Sequence, residues 1–185
     1  MPAVTRLPIV GVIASGSQAH EDLAAPLGCW LATQPVHLLT GAGQGAMAAV
    51  SKAFAETPDR KGLILGIVPC KSESAPASAK DGYPNQWVEV PIRTHLHLSG
   101  QRGEDLRSRN HIVVLTAAVL VALPGSAGTA SEVRLAVRYN KQIIAFLNSR
   151  DEIPELPSEV RWEQDFGQVK LFIANVLGLP IGSVQ

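Results

Sequence analysis

The sequence predicts an α/β fold: a doubly wound, mainly parallel sheet with helices on both of its faces. Short runs that are apolar at successive positions recur along the 185 residues, which is typical of strands buried on both faces. Segments with apolar residues at helical spacing lie between these runs. Three of the runs end in segments rich in glycine and other small residues. This alternation indicates a sheet whose strands are joined by helices that cover both sides.

The individual elements follow from these patterns in chain order. We predict strands at residues 7–14, 36–39, 63–68, 118–123 and 143–147. Helices are predicted at residues 20–33, 45–56 and 129–139, with a last helix from about 160 to 176. A proline-containing connection, residues 149–160, joins the fifth strand to this last helix. The elements fit one domain over residues 1–185, which is long enough to bury a full core.

Residues 69–110 interrupt this rhythm. The first half is rich in Ser, Ala, Pro and Lys without any period and predicts an exposed loop, whereas residues 87–92 alternate and predict a short strand. Further on, a helix from about Glu104 would place Arg109 near the core and leave Arg102 and Arg107 nearer solvent. Long irregular segments inside compact domains are usually functional or mobile. We therefore expect residues 69–110 to lie beside the functional site.

Composition excludes several classes of function. The 16 Lys and Arg balance the 16 Asp and Glu, so no strong field attracts nucleic acid or a membrane surface. No apolar run approaches the roughly 18 residues that a membrane span needs. The two cysteines, Cys29 and Cys70, suit neither a disulfide framework nor a zinc motif. We expect a soluble cytoplasmic protein in which Cys29 is a buried free thiol.

Three loops that follow predicted strands could carry the chemistry. They are ASGSQ (14–18), TGAGQGAM (40–47) and PGSAGTASE (124–132). In open parallel sheets ligands bind beyond the carboxyl ends of the strands. Glycine lets the backbone approach a ligand closely, and the free N–H groups at a helix start suit phosphate. One such loop alone is compatible with mere tight packing, but three converging loops predict a phosphate pocket.

Two other kinds of site are not expected. The sequence GAGQGA (41–46) matches the dinucleotide-binding pattern GxGxxA, but the next strand leads to Pro69 and Cys70 instead of an acid that would bind a ribose. A nicotinamide site is therefore not predicted. His95 and His97 have no third ligand nearby, so no metal site is predicted either.

Glu132 has two interpretations at this point. With Thr129 it forms the pattern T-x-x-E, in which Thr129 would cap a helix and Glu132 would accept a hydrogen bond from the backbone N–H of Thr129. Alternatively, Glu132 is a carboxylate on the floor of the ligand pocket. The two roles are compatible, and the sequence leaves both open.

The order of SGS (15–17), GAGQGAMAAVSKAF (41–54), RNHIVVL (109–115) and LPGSAGTASEV (123–133) resembles the LOG-like Rossmann superfamily, and within it the molybdenum cofactor carrier proteins. The resemblance extends over about residues 8–147. It implies a Rossmann-like fold and a phosphorylated ligand. Together with the loops it gives these candidate ligand-binding residues: Ser15, Gly16, Ser17, Gly41, Ala42, Gly43, Gln44, Gly45, Ala46, Met47, Arg109, Asn110, Pro124, Gly125, Ser126, Ala127, Gly128, Thr129 and Glu132.

LOG enzymes release a base from its ribose monophosphate, and their pattern is an arginine-lysine pair followed by PGGxGTxxE. By this resemblance Arg109 and Glu132 would be catalytic if the chain is a hydrolase. Asn110 replaces the lysine, Ser126 replaces the second glycine, and Gly41-Ala42-Gly43 replaces a triple-glycine turn. These departures favour the carrier branch, which binds and protects the phosphorylated pterin of molybdenum enzymes.

The leading hypothesis is therefore a cytoplasmic homodimer or homotetramer that binds molybdenum cofactor and delivers it to molybdenum enzymes. The alternative is a LOG-type N-ribosyl hydrolase of nucleoside 5′-monophosphates, and a third possibility is a sensor of some other nucleotide without catalysis.

Overall fold

A seven-stranded parallel sheet forms the centre of the molecule in the computed structural model, which describes residues 6–180. The predicted domain of residues 1–185 thus extends beyond the described part at both ends. The strands are β1 (Ile9–Ile13), β2 (His37–Thr40), β3 (Ile64–Val68), β4 (Cys70–Ser72), β5 (Ala75–Ala79), β6 (Val90–Arg93), β7 (Val119–Ala122), β8 (Ile143–Phe146) and β9 (Arg161–Glu163). The sheet order is β6-β3-β2-β1-β7-β8-β9, and every neighbouring pair is parallel. Strands β4 and β5 form a separate antiparallel hairpin.

Helices cover both faces of the sheet, as predicted. They are α1 (Glu21–Thr33), α2 (Ala46–Glu56), α3 (Asn110–Thr116), α4 (Ala127–Arg138) and α5 (Phe166–Leu177). Alternate side chains of the central strands point to opposite faces, and each face has its own buried cluster. Side chains of α1, α2 and α5 pack into one cluster, and side chains of α3 and α4 pack into the other. The α/β fold and the five predicted strands are confirmed. These strands were predictable because strands buried on both faces are continuous apolar runs.

Several element predictions are wrong in detail. The last helix begins at Phe166 and not near residue 160, because Arg161–Glu163 pairs with β8 as an edge strand. The helix expected from about Glu104 begins at Asn110. The segment predicted as an exposed loop contains the β4–β5 hairpin. The short strand predicted at 87–92 lies at Val90–Arg93, on the sheet edge beside β3.

The prediction of a buried Cys29 is also wrong, because this residue lies on the outward side of α1. Its side chain is exposed, with Sγ 3.9 Å from the carbonyl oxygen of Ala53 on α2. Cys70 is the buried cysteine. Among the described residues no helix has the length and apolar character needed to cross a membrane.

Candidate functional site

The candidate site lies where the chain reverses its direction across the sheet. Strand β1 is central, with β2 on one side and β7 on the other. Ligands bind preferentially at such a switch point, beyond the carboxyl ends of the strands. The three loops predicted from the sequence leave this edge from β1, β2 and β7, so the topology brings them together.

Ser15 ties the three loops to one another. Its backbone N–H donates to the carbonyl of Pro124 at 3.0 Å, and its own carbonyl accepts the N–H of Ala46 at 3.0 Å. Its hydroxyl accepts the N–H groups of Ser17 at 3.2 Å and Gln18 at 3.0 Å. The loop after β1 is therefore fixed by hydrogen bonds both internally and to its two neighbours.

A buried ion pair lies beneath these loops. Arg109, directly before α3, places Nη1 3.1 Å from Oε1 of Glu132 on α4, and the two side chains are only 6% and 8% exposed. The Arg109 Nε is buried and has no hydrogen-bond partner among the described residues. Gly41 makes room for the guanidinium, because a Cβ at position 41 would lie 2.6 Å from the Arg109 Cζ. The sequence proposed Arg109 and Glu132 as site residues but did not predict that they pair.

Burial raises the pKa of the Glu132 carboxyl above its ordinary value, although the charge of Arg109 and its hydrogen bond act in the opposite direction. A carboxyl shifted in this way accepts a proton more readily than a surface carboxyl does. Perturbed groups of this kind concentrate at functional sites. The pair can therefore hold charge or exchange a proton in a place from which water is largely excluded.

The capping-box interpretation of Thr129 and Glu132 is wrong. Helix α4 begins at Ala127 with Ser126 as its N-cap, so Thr129 is already inside the first turn. The Ser126 side chain makes no capping hydrogen bond. Glu132, one turn further on, pairs with Arg109 instead of reaching back to the backbone.

The start of α4 is well suited to an anion. The first N–H groups of any helix have no partner within the helix, and they carry the positive end of its dipole. Here the side chain of the N-cap residue Ser126 accepts no hydrogen bond from these N–H groups, and no acidic residue lies in the first turn of α4. By contrast, α1 begins with Glu21 and Asp22, which disfavour an anion at its start.

A cavity of about 150 Å³ opens between the start of α4 and the ion pair. It combines residues from the loop after β1, the first turns of α2 and α4, and three parts of the 69–110 segment. Its lining is Ala14, Ser15, Gly16, Met47, Tyr83, Ser99, Gly100, Arg109, Asn110, Ser126, Gly128, Thr129 and Glu132. We call it the inner cavity.

A second cavity of about 390 Å³ adjoins the first. Ser15 and Ser126 line both. Its full lining is Ser15, Ser17, Gln18, His20, Pro124, Gly125, Ser126 and Glu152. We call it the outer cavity.

The other predicted site residues lie outside both cavities. Gly41, Ala42, Gly43, Gln44, Gly45, Ala46 and Ala127 line neither cavity. Gly45 has φ +60°, and a Cβ there would lie 2.7 Å from the backbone of the loop after β1. The Gln44 amide donates to the carbonyl of Gly82 at 2.8 Å. Most of the GAGQGA loop thus shapes the site, and direct contact of these residues with a ligand stays a prediction.

Besides Arg109 and Asn110, which were predicted, the 69–110 segment brings residues to the site that the sequence did not single out. Tyr83, Ser99 and Gly100 line the inner cavity. Asn85 is buried and holds the loop after β2, since its Nδ2 donates to Gly43 O at 2.8 Å and its N–H donates to Ala42 O at 2.9 Å. No periodicity or motif marks these positions. The only signal was the irregularity of the segment itself.

In the part of the chain that the structure describes, no three His, Cys, Asp or Glu side chains are grouped so that they could hold a metal ion. The outer cavity also contains Gln18, the last residue of the predicted 14–18 loop, and two residues that the sequence did not single out, His20 and Glu152.

Comparison with known proteins gives a family and a set of related structures. The model of LDcluster4, described as the SLOG cluster4 family, matches residues 7–170. No protein of curated function matches the chain.

Solved structures match over nearly the whole chain. The molybdenum cofactor binding protein from the phototrophic bacterium Rippkaea orientalis is 27% identical with a TM-score of 0.72, over 94% of this chain and 99% of that one. The molybdenum cofactor carrier protein of Chlamydomonas reinhardtii is 25% identical with a TM-score of 0.65, over 94% and 99%. A structural-genomics target at 19% identity and a TM-score of 0.67, over 91% and 99%, shares the fold.

Proposed function

The chain belongs to the SLOG cluster4 family, within the LOG-like superfamily, and from this premise we propose that it binds molybdenum cofactor, a phosphorylated pterin, and protects it for transfer. One observation carries the proposal: the uncapped, acid-free start of α4 opens into a cavity beside a buried arginine. The similarity to molybdenum cofactor binding and carrier proteins supports the choice of cargo.

The phosphate would lie in the inner cavity, at the first turn of α4. Backbone N–H groups there can donate to its oxygens, as helix starts do for phosphates in general. Arg109 adds a positive charge, and its Nε has no hydrogen-bond partner among the described residues. Because burial raises the pKa of Glu132, this carboxyl can take up a proton. The positive charge of Arg109 would then no longer be balanced by Glu132 and would balance the negative charge of the phosphate.

The size of the two cavities fits a ligand with a small anionic end and a larger ring system. The inner cavity, at about 150 Å³, is smaller than the roughly 300 Å³ at which ordinary ligand pockets begin. The outer cavity, at about 390 Å³, falls within that range. A phosphate in the first cavity with its ring system in the second would use both, and Ser15 and Ser126 would lie between the two parts.

The test is an anaerobic titration of the purified protein with molybdenum cofactor, comparing the wild type with Ala127→Glu. An acid at the first position of α4 suits the helix dipole, so the fold should keep its stability. The same acid repels phosphate, so the affinity should fall at least about tenfold, or about 1.4 kcal/mol. Leu106→Glu adds the same charge at a position that is 87% exposed and serves as the control.

The outcomes of this titration are distinct. Submicromolar binding by the wild type and by Leu106→Glu, with the loss confined to Ala127→Glu, would support the proposal. Equal affinity in all three proteins would contradict a phosphate at the start of α4. Mass spectrometry of the small molecules that co-purify under anaerobic conditions would identify the cargo independently.

A second candidate function is LOG-type hydrolysis of nucleoside 5′-monophosphates. The buried pair of Arg109 and Glu132 favours it, because a carboxyl with a raised pKa can act in acid–base chemistry at a glycosidic bond. Incubation with adenosine monophosphate and with cytokinin ribotides, followed by chromatography of the free base, tests this activity. Base release by the wild type that disappears in Glu132→Gln would replace the carrier proposal with the hydrolase.

We further propose a cytoplasmic homodimer or homotetramer that passes the cofactor to molybdenum enzymes, as the superfamily resemblance implies. Light scattering at micromolar concentration tests the oligomeric state, and a monomer would contradict it.

A further inference from the structure

We propose that the outer cavity recognises the ring of the ligand by its hydrogen-bonding edge, and that it selects a 2-amino-4-oxopyrimidine edge, which pterins and guanine share. This inference rests on the proposed function, because it needs the phosphate anchored at the start of α4. Glu152 would accept the ring N–H groups, and the side chains of Gln18 and His20 would complete the contact.

The Glu152 carboxylate is fixed by hydrogen bonds to only one of its two oxygens. Its Oε2 accepts the N–H groups of Asn148 at 2.8 Å and Ser149 at 3.4 Å. Its backbone carbonyl accepts the N–H of Gly125 at 3.0 Å, which ties it to the loop before α4. Its Oε1 has no hydrogen bond to any described residue, and Glu152 is one of the residues that line the outer cavity. A fixed carboxylate oxygen without a partner, on a residue that lines a cavity, is suited to accept an N–H from a ligand.

Three further polar side chains line this cavity without a hydrogen bond to the described part of the chain. They are Gln18, His20 and the N-cap residue Ser126. Gln18 and Ser126 are exposed and His20 is half-buried, so all three side chains are accessible to a ligand. The combination of a carboxylate acceptor with an amide that can both donate and accept matches a ring edge that carries an amino group, a ring N–H and a carbonyl.

The backbone of His20 supports a functional role for its ring. His20 has φ +43° and ψ +52°, in the left-handed region, and it is the N-cap of α1 without making a side-chain capping bond. A non-glycine residue there costs about 1 kcal/mol or more, and such strain clusters at ligand sites. Glycine would adopt this conformation without strain, so the His20 side chain costs free energy of folding here.

The selected edge distinguishes guanine from adenine, because adenine presents an acceptor nitrogen where guanine presents its ring N–H. A carboxylate facing that nitrogen is left without a donor, and a site built to hydrogen-bond a ligand discriminates strongly when the partner is missing. We therefore expect guanosine monophosphate to bind at least about tenfold more tightly than adenosine monophosphate, which corresponds to about 1.4 kcal/mol.

The experiment is calorimetric titration of the full chain with three probes: guanosine 5′-monophosphate, adenosine 5′-monophosphate and 6-hydroxymethylpterin phosphate. Glu152→Gln is the matched variant, because glutamine also closes the capping box with Ser149 and so preserves the turn. We expect the wild type to prefer the guanine and pterin probes, and Glu152→Gln to reduce that preference to less than threefold. The relative affinity of the guanine and pterin probes shows which of the two ring systems is the better fit.

His20→Gly gives a second readout that a merely structural residue would not produce. Removing the ring relieves the strained backbone, so the midpoint of urea unfolding should stay the same or rise. The affinity for the guanine and pterin probes should nevertheless fall at least threefold.

The possible failures can be told apart. If adenosine and guanosine monophosphates bind equally and Glu152→Gln changes nothing, the ring inference is wrong while the phosphate site stands. If none of the probes binds, and Ala127→Glu does not differ from the wild type toward molybdenum cofactor, then the proposed function fails and the inference fails with it. If His20→Gly lowers stability and leaves affinity unchanged, His20 has a structural role and no part in recognition.

Discussion

At the scale of single residues, the pair of Arg109 and Glu132 decides how the site behaves. Removing two charges from water costs several kcal/mol for each ion, and their mutual attraction seldom returns more than this. The pair is therefore weak as a source of stability. Both residues line the inner cavity, and Arg109 Nε has no hydrogen-bond partner in the described part of the chain, so ligand binding explains the pair better than folding does.

Arg109→Met should make stability depend more steeply on pH. Losing Arg109 removes both influences that lower the pKa of Glu132, so that pKa rises further above its ordinary value of 4.5. The folded state then binds a proton that the unfolded state has released, and stability falls as the pH rises above about 4.5. Urea unfolding at pH 5 and pH 8 should show a larger drop for Arg109→Met than for the wild type.

Arg107→Met is the control for this measurement, because Arg107 is exposed and pairs with Glu73 at the surface. It should follow the wild-type pH profile. An Arg109→Met profile parallel to that of the wild type would contradict the assignment of Glu132 as the titrating group.

The double variant Arg109→Met with Glu132→Leu should separate folding from binding. Replacing a buried ion pair by apolar side chains of similar volume is often neutral or stabilising by about 1–4 kcal/mol, whereas removing one partner costs about 3–5 kcal/mol. We expect the double variant to unfold at a urea concentration equal to or above that of the wild type and to lose affinity for phosphorylated ligands. A double variant less stable than Arg109→Met alone would show that the pair stabilises the fold.

At the scale of elements, the sequence predicts what is buried better than what lies at an edge. Strands β1, β2, β3, β7 and β8 are apolar on both faces because helices cover them, and so their runs stand out. Strand β9 reads RWE and lies at the sheet edge, where no apolar run is required. It is a strand because its backbone pairs with β8, and such a tertiary contact leaves no local pattern in the sequence. Those residues were therefore predicted to belong to the last helix.

The boundaries of α4 illustrate the same limit. A T-x-x-E pattern predicts an N-cap at Thr129, but the N-cap is Ser126, three residues earlier, and the helix begins at Ala127. Packing of Glu132 against Arg109, 23 residues away in sequence, overrides the local capping preference. Local sequence patterns cannot predict a pair between residues that are so far apart in sequence.

Two helix starts should respond differently to removal of their N-cap side chains. Asp165 accepts the N–H of Gly167 at 2.7 Å at the start of α5, whereas Ser126 caps nothing at the start of α4. We expect Asp165→Ala to lower the free energy of unfolding by about 1 kcal/mol and Ser126→Ala to change it by only a few tenths. Urea unfolding measures both, and an equal loss would contradict the description of α4 as uncapped.

At the scale of the whole molecule, the topology assembles the site from segments that are distant in sequence. The three glycine-containing loops converge because β1 lies between β2 and β7, and this convergence was predictable from the strand order that α/β patterns imply. The contributions of Tyr83, Asn85 and Glu152 were not predictable from the sequence. They depend on how the 69–110 segment and the turn at Arg150–Glu152 fold back over the sheet edge.

Because the ligand would contact all of these segments only in the folded state, it should stabilise the molecule as a whole. A ligand that binds the native state alone adds about 2.7 kcal/mol to the free energy of unfolding at one hundred times its dissociation constant. We expect anaerobic urea unfolding of the wild type to shift by this amount with molybdenum cofactor. Ala127→Glu at the same ligand concentration should shift by about 1.4 kcal/mol or less, because the ligand is then at no more than about ten times the variant's dissociation constant. Leu106→Glu should match the wild type, since its added charge lies on a side chain that is 87% exposed and outside both cavities. An equal shift in Ala127→Glu would place the cofactor away from the start of α4.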